Sequence, residues 1–96
     1  MTAYVIAQFT VTDCEGFEAY RQAAPPIIEA YGGRMLVRGG AITSVDGDTD
    51  RPKMIVLEFP DKAAAERFYN SPEYQAIMPL RRDHTEGTVS IVEGGV

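Results

Sequence analysis

The chain has 96 residues, which is the size of one domain, and 45% of them are hydrophobic, as in an ordinary folded protein. Its 14 acidic and 9 basic side chains give a net charge of −5, which argues against a protein that binds the phosphate backbone of nucleic acids. No apolar run approaches the roughly 20 residues that span a bilayer, and the apolar stretch 4–9 lacks the basic flank of a signal peptide. A single cysteine, Cys14, cannot form an internal disulfide. We therefore expect one cytoplasmic domain over residues 1–96, with neither a nucleic-acid nor a membrane partner.

The first third of the chain predicts a strand followed by a helix. Residues 4–11 are rich in β-branched and aromatic side chains and favour a strand. Thr12 and Glu15 have the spacing of a capping box and predict the start of the helix. Apolar side chains then recur every three or four residues. Pro25-Pro26 predict a kink or a division into two pieces, and Gly32-Gly33 predict the end of the helix.

The middle of the chain predicts a hairpin. Its first strand is expected over residues 34–38, after which Gly39-Gly40 indicate a bulge or a change of direction. Residues 41–45 are a candidate extension of that strand, and the polar segment 46–50 suits the turn. The second strand is expected over residues 53–59.

The last third predicts two helical pieces and a final strand. Asp61 has the properties of a helix cap. Ser71-Pro72-Glu73 indicates a new helix start, with serine at the cap and an acid in the first turn. This second helix is expected to end at Pro79, so that residues 80–87 form a polar segment before a strand at 88–93.

The predicted order β-α-β-β-α-β is that of an α+β split βαβ fold, in which the helices cover one face of a four-stranded antiparallel sheet. Alternate residues of a strand point to opposite faces. One set of alternate residues is uniformly apolar and is expected to meet the helices: Val5, Ala7, Phe9, Met35, Val37, Ile55, Leu57 and Phe59. The other set is mixed, and it holds five large apolar side chains: Tyr4, Ile6, Leu36, Met54 and Val56.

The second face has no helix left to cover it. A contiguous exposed apolar patch normally marks an interface, and a second copy of the same sheet is the simplest cover. We therefore expect a homodimer whose two sheets pack face to face as a barrel. The assignment of faces depends on where the bulge lies, since a bulge exchanges the two faces of a strand.

Several motifs resemble those of the domain of unknown function 1330 family. They are YGGRMLVRGG at 31–40, EFP at 58–60 and FYNSPEY at 68–74, and the start at 3–7 and Pro25-Pro26 are similar too. The resemblance covers nearly the whole chain and implies a ferredoxin-like fold of the dimeric α/β-barrel superfamily. That family carries no assigned activity. Its superfamily relatives include cofactor-free monooxygenases, isomerases and haem-processing enzymes, but a shared fold does not transfer their functions.

His84 and Arg38 are the candidate catalytic residues. His84 is the only histidine and titrates nearest neutral pH, although its polar surroundings also suit a solvated surface residue. Arg38 and Glu58 share the mixed strand face and are expected to oppose each other across the hairpin. They form either an anion-binding arginine oriented by a carboxylate or, as we favour, an ion pair at the dimer face, with Gln8 as a further partner.

Four tyrosines, Tyr20, Tyr31, Tyr69 and Tyr74, lie on predicted helix faces, and each joins an apolar ring to a polar hydroxyl. Any one of them suits plain core packing. Together they suit a pocket between helices and sheet for a small aromatic or polyketide-like ligand. The candidate ligand-binding residues are therefore Tyr20, Arg38, Glu58, Tyr69 and Tyr74.

No metal or cofactor site is predicted. The aspartates of 46–50 resemble the start of a calcium loop, but Arg51 and Leu57 occupy the positions of its glycine and its bidentate glutamate. One histidine and one cysteine do not make a transition-metal site. Cys14 at a helix start is a candidate reactive thiol, although no resolving cysteine accompanies it.

Three functions follow from these patterns. The first is a homodimer that holds a small organic molecule without a tightly bound cofactor. The second is a cofactor-independent enzyme, an oxygenase or isomerase, that uses His84, Arg38 and a tyrosine hydroxyl. The third is a dimer that acts by contact with another protein. A pocket with polar groups favours the first two, and a closed core leaves the third.

Overall fold

The computed structural model describes residues 1–47 and 51–94 of the chain. The elements in chain order are β1 (Ala3–Val11), α1 (Cys14–Ala30), β2 (Arg34–Arg38), β3 (Lys53–Phe59), α2 (Lys62–Tyr69), α3 (Pro72–Arg82) and β4 (Thr85–Glu93). The strands form one antiparallel sheet in the order β2-β3-β1-β4. The predicted α+β architecture is confirmed. In the described part of the chain, no helix is both long enough and apolar enough to span a membrane.

The core lies between the helices and one face of the sheet. Val5, Phe9 and Leu57 are buried there, as the alternation of the strands predicts. Phe59 is 1% exposed, and its ring centroid lies 5.1 Å from that of Phe68 on α2. Burial of such rings contributes most of the free energy that holds helices and sheet together.

Helix α1 begins one residue later than the capping box predicts. The Asp13 carboxylate, and not the Thr12 hydroxyl, accepts the hydrogen bond from the backbone N–H of Gly16, at 3.3 Å. The backbone N–H of Thr12 donates to the carbonyl oxygen of His84 at 2.8 Å. This bond holds the backbone of Thr12 against the chain just before β4. Asp13, the next residue with a short acceptor side chain, caps the helix instead.

Pro25 and Pro26 do not divide α1 into two pieces, although such a division was one of the two predicted outcomes. The helix continues from Cys14 to Ala30, and both prolines lie on its exposed face. The carbonyls that lose a partner belong to residues four positions earlier, Arg21 and Gln22, which are also exposed, so water can satisfy them.

A β-bulge in β2 changes which side chains face the helices. The register on β3 shifts between Met35 and Val37, so that Val37 lies opposite Val56 and Arg38 lies opposite Ile55. The alternation of β2 predicted Val37 toward the helices and Arg38 on the opposite face, and both predictions are wrong. The extra residue lies inside the strand, before the glycine pair, and it exchanges the two faces from there onward. We call the face away from the helices the outer face.

The segment after β2 is not a strand. Residues 41–45 are irregular and mostly exposed, so they do not extend β2 as the sequence suggested. The predicted turn at 46–50 falls partly on residues 48–50, which lie outside the described residues. Strand β3 has the bounds that the sequence predicts.

Helix α3 continues past Pro79 to Arg82, and this is a further correction. Its cap is Ser71, as predicted, and the Ser71 hydroxyl accepts from the backbone N–H of Tyr74 at 3.1 Å. The carbonyl that Pro79 leaves without a partner is that of Gln75, and both residues are exposed. Because α3 is longer, β4 starts at Thr85 instead of residue 88, and most of the predicted polar segment is regular structure.

Candidate functional site

Three of the four singled-out tyrosines come together where the three helices meet. Tyr20 comes from α1, Tyr69 from the end of α2 and Tyr74 from the first turns of α3. The ring centroids of Tyr20 and Tyr74 lie 6.2 Å apart in a T-shaped contact, and those of Tyr69 and Tyr74 lie 5.2 Å apart. The hydroxyl oxygens of Tyr20 and Tyr74 are 2.8 Å apart and hydrogen-bonded.

Arg81 completes this cluster, although it was not among the predicted site residues. Its Nε donates to the Tyr74 hydroxyl and its Nη2 donates to the Tyr69 hydroxyl, each at 3.2 Å. Arg81 follows Tyr74 by seven residues, which is close to two helical turns, so both residues lie on one helix face. That spacing could have identified Arg81 from the sequence, provided that the helix was expected to continue through Pro79.

Burial and neighbouring groups perturb the ionisation of the cluster. Burial raises the pKa of Tyr20 far above its ordinary value, and the nearby Tyr74 hydroxyl raises it further, so Tyr20 stays neutral. Partial burial lowers the pKa of Arg81, but the tyrosine oxygens, that of Tyr74 first, raise it more, and its net pKa lies above the ordinary value. The cluster therefore holds a permanent positive charge close to the neutral phenol of Tyr20.

A cleft of about 260 Å³ opens beside this cluster, between α3 and β4. We call it the Arg81 cleft. It is lined by Tyr69, Arg81, Arg82, Thr85, Gly87 and Val89. Two arginines line this cleft, and none of the described residues that line it is a carboxylate. Its electrostatic character therefore suits an anion.

Arg81 has hydrogen-bonding capacity left for such an anion. A guanidinium carries five N–H donors, and the described residues accept from two of those of Arg81. The Tyr69 hydroxyl donates to the thioether sulfur of Met78 at 3.4 Å, and a thioether is a weak acceptor. A carboxylate in the cleft would offer both side chains a stronger acceptor.

The structure does not bring Arg38 and Glu58 together. Glu58 accepts a hydrogen bond from Arg34 Nη2 at 3.0 Å, and this pair lies on the outer face of β2 and β3. Arg38 faces the helices because of the bulge. Gln8 lies opposite Met54 and not opposite Glu58, so the predicted three-residue group does not form.

His84 does not lie in a polar loop. It follows the C-cap of α3, its Nδ1 lies 2.7 Å from the carbonyl oxygen of Leu80, and its side chain is 23% exposed. Its ring contacts Gly16 in the first turn of α1, and its Nε2 lies 3.9 Å from an oxygen of Asp13. His84 is not among the residues that line the Arg81 cleft. These contacts give it a structural position between α1 and α3.

Tyr31 stands apart from the other three tyrosines. Its hydroxyl donates to Oε2 of Glu73 at 2.7 Å, at the exposed junction of α1 and α3. This hydrogen bond raises the pKa of Tyr31 and lowers that of Glu73. Tyr31 thus joins two helices and does not line the Arg81 cleft.

One family model matches nearly the whole chain. The model of a domain of unknown function, DUF1330, matches residues 2–95. The chain belongs to the DUF1330 family. No curated protein matches this DUF1330 chain.

Solved structures share the fold of this DUF1330 protein at low sequence identity. RPA0582, a protein of unknown function from Rhodopseudomonas palustris, is 16% identical with a TM-score of 0.74, over 99% of this chain and 83% of that one. SnoaB, a cofactor-independent oxygenase from Streptomyces nogalater, is 14% identical with a TM-score of 0.68, over 99% and 94%. A dimeric ferredoxin-like protein of unknown function from Jannaschia sp. is 17% identical with a TM-score of 0.66, over 97% and 99%. The ferredoxin-like fold is therefore confirmed.

Proposed function

We propose that this DUF1330 protein is a homodimer that binds a small organic anion in the Arg81 cleft. The observation that carries the proposal is the unused hydrogen-bonding capacity of Arg81, three of whose five N–H donors have no acceptor among the described residues. Two hydroxyls already fix the guanidinium in place, so it is preorganised and loses little freedom when it binds a carboxylate. Tyr69 and Arg82 lie beside it as further donors.

The outer face of the sheet supports the homodimer. Leu36, Val37 and Val92 are each between 39% and 44% exposed, although all three lie in strands. Ile6 and Val56, which are paired side by side on the same face, are half-buried with no helix above them. The Jannaschia relative is described as dimeric, and so is one from Bacteroides fragilis. Two such faces packed together would form a barrel and remove this apolar area from water.

A second candidate is a cofactor-independent enzyme that acts on the bound anion. The favouring observation is the hydrogen-bonded series Tyr20–Tyr74–Arg81, which ends at a guanidinium on the cleft. SnoaB, which shares the fold, is a cofactor-independent oxygenase. In such an enzyme Arg81 would stabilise negative charge that develops on the substrate, and the Tyr69 hydroxyl would supply a proton. Turnover of a bound substrate that is lost in Tyr69→Phe, with binding retained, would favour the enzyme.

Titration of the 15N-labelled protein with malonate tests the binding proposal. We expect saturable shifts of the Arg81 Nε–Hε signal and of the Thr85 amide. Arg81→Gln should raise the dissociation constant at least about tenfold, because it removes a charged hydrogen bond worth ~1.5–3 kcal/mol. Tyr69→Phe, which keeps the ring and removes only the hydroxyl, should weaken binding by a smaller factor.

Arg67→Gln is the matched control, since Arg67 is an exposed arginine of α2 outside the cleft. It should leave the dissociation constant unchanged. Equal affinity in Arg81→Gln and in the control, with both variants folded, would contradict the proposal.

A further inference from the structure

The bulge in β2 contributes Arg38 to a second cleft. Arg38 faces the helices next to Ile55, and together with Phe9 and Phe17 these residues line a cleft of about 260 Å³ between α1 and the sheet. We call it the Arg38 cleft. Its floor is apolar and aromatic, which distinguishes it from the arginine-rich Arg81 cleft.

Two cations at the rim of the Arg38 cleft have no partner in the described part of the chain. They are Arg38 and Lys53, and neither forms a salt bridge or a side-chain hydrogen bond there. Lys53 lies opposite Phe9 on β3, so its side chain projects from the same face of the sheet as the apolar floor of the cleft. In a chain of net charge −5, two free cations over an apolar floor form a local site for an anion.

Among the described residues one carboxylate lines this cleft, and it does not neutralise those cations. It is Glu18, which accepts a hydrogen bond from Arg21 at 3.0 Å and one from Gln22 at 3.4 Å. Arg21 lines the cleft as well, so this pair adds no net charge. The excess positive charge therefore comes from Arg38 and Lys53.

We infer that the Arg38 cleft binds a small arylcarboxylate, with the ring on Phe9, Phe17 and Ile55 and the carboxylate at Arg38 and Lys53. The apolar floor selects a ring or a short hydrocarbon, and the guanidinium fork matches the two oxygens of a carboxylate. The volume lies just below the ~300–1,000 Å³ range of drug-sized ligand pockets, which limits the ligand to about one ring. None of the described residues that line this cleft also lines the Arg81 cleft.

Benzoate is the probe, and benzyl alcohol is the neutral control of similar shape. Titration of 15N-labelled protein with benzoate should shift the amides of Phe9 and Ile55 in a saturable way, and benzyl alcohol should bind at least about tenfold more weakly because it lacks the charge. Arg38→Gln should raise the benzoate dissociation constant about tenfold, whereas Arg67→Gln and Arg81→Gln should leave it unchanged.

Cys14 gives an independent measurement, because it is exposed, it lines the Arg38 cleft and it is the only cysteine. Saturating benzoate should slow its alkylation by iodoacetamide in the wild type but not in Arg38→Gln. Equal benzoate affinity in Arg38→Gln and Arg67→Gln, or benzoate shifts that map to Tyr69 and Thr85 instead, would overturn the inference. Neither result would affect the malonate experiment, so the two proposals can fail separately.

Discussion

Gly16 has no side chain, and this lets the His84 ring lie directly on the first turn of α1. A Cβ at residue 16 would collide with the ring atoms of His84, which the Leu80 carbonyl holds in place. The same two segments are joined through the backbone, because Thr12 donates to the His84 carbonyl. Contacts of this kind join residues about 70 positions apart and leave no periodic pattern in a single sequence. The sequence therefore left His84 as either a catalytic candidate or a solvated surface residue, and neither prediction included its contact with α1.

Gly16→Ala should therefore lower the free energy of unfolding by about 1–3 kcal/mol, the usual range for overpacking. Chemical denaturation measures it. Gly40→Ala is the control, because a Cβ there meets nothing within 4 Å and the backbone of Gly40 is not in the positive-φ region. We expect that control to change stability by less than ~0.5 kcal/mol.

The double variant Gly16→Ala/His84→Ala separates the collision from other effects. It should be more stable than the sum of the two single changes predicts, because removal of the ring removes the collision. Strict additivity would show that Gly16 and His84 do not contact each other as described.

At the scale of the elements, α1 and α3 meet at both ends of α1. His84 joins the start of α1 to the end of α3, and Tyr31 joins the end of α1 to Glu73 in the first turn of α3. Glu73 also carries its negative charge at the positive end of the α3 dipole. The junction of the two helices therefore depends on the ionisation of one carboxylate.

Tyr31→Phe should raise the pKa of Glu73, because the hydrogen bond from Tyr31 is the largest cause that lowers it. A group whose folded-state pKa is lowered stabilises the fold above its unfolded pKa of about 4.3, and that contribution is lost as the pH falls through the folded pKa. NMR titration of the Glu73 carboxyl carbon measures the shift directly.

In the wild type, stability should fall below about pH 4–5 partly because this bond is lost, and Tyr31→Phe should make that fall shallower. Tyr4→Phe is the control, since Tyr4 lies in β1 and has no hydrogen bond to Glu73. A Glu73 pKa that is the same in Tyr31→Phe and in Tyr4→Phe would contradict the assigned hydrogen bond.

The order of the elements could be predicted from the sequence, since alternation, caps and glycine pairs are local signals. The bounds of β3 and the caps Asp61 and Ser71 are confirmed for that reason. The extent of α3 could not be predicted, because a proline stops a helix only where its lost hydrogen bond is costly, and the exposed carbonyl of Gln75 is not such a place. Because the helix was expected to end at Pro79, Arg81 was not placed on the same helix face as Tyr74.

The candidate site was predictable only in part, and for a physical reason. Tyr20, Tyr69 and Tyr74 stand on helix faces that the apolar spacing indicates, and the structure brings them together. The side that Arg38 faces depends instead on the register between two strands. A bulge is a property of that pairing, and the pattern of one strand does not show it.

At the scale of the whole molecule, the outer face carries exposed apolar side chains of β2 and β4 with no helix above them in the described part of the chain. Val37 lies on this face opposite Val56 and is 39% exposed, so a charge at Val37 leaves the core intact. In the proposed dimer the same position is removed from water, where an unpaired carboxylate is costly.

Val37→Asp should therefore convert the dimer to monomer, and sedimentation velocity at micromolar concentration measures the mass. Val45→Asp introduces the same charge at a residue that is 94% exposed and outside the sheet, so it should leave the dimer intact. A wild-type protein that sediments as a monomer, or a Val37→Asp variant that keeps the mass of a dimer, would contradict the proposed assembly.

The shift of register in β2 affects two separate surfaces, the Arg38 cleft and the outer face. If Leu36 paired with Val56 in an uninterrupted ladder, Val37 would turn inward and Arg38 would turn outward together. Such a change of register would take the guanidinium from the Arg38 cleft and place it on the face of the proposed dimer contact. The proposed ligand binding and the proposed self-association therefore depend on the same bulge, which places Arg38 on one face of the sheet and Val37 on the other.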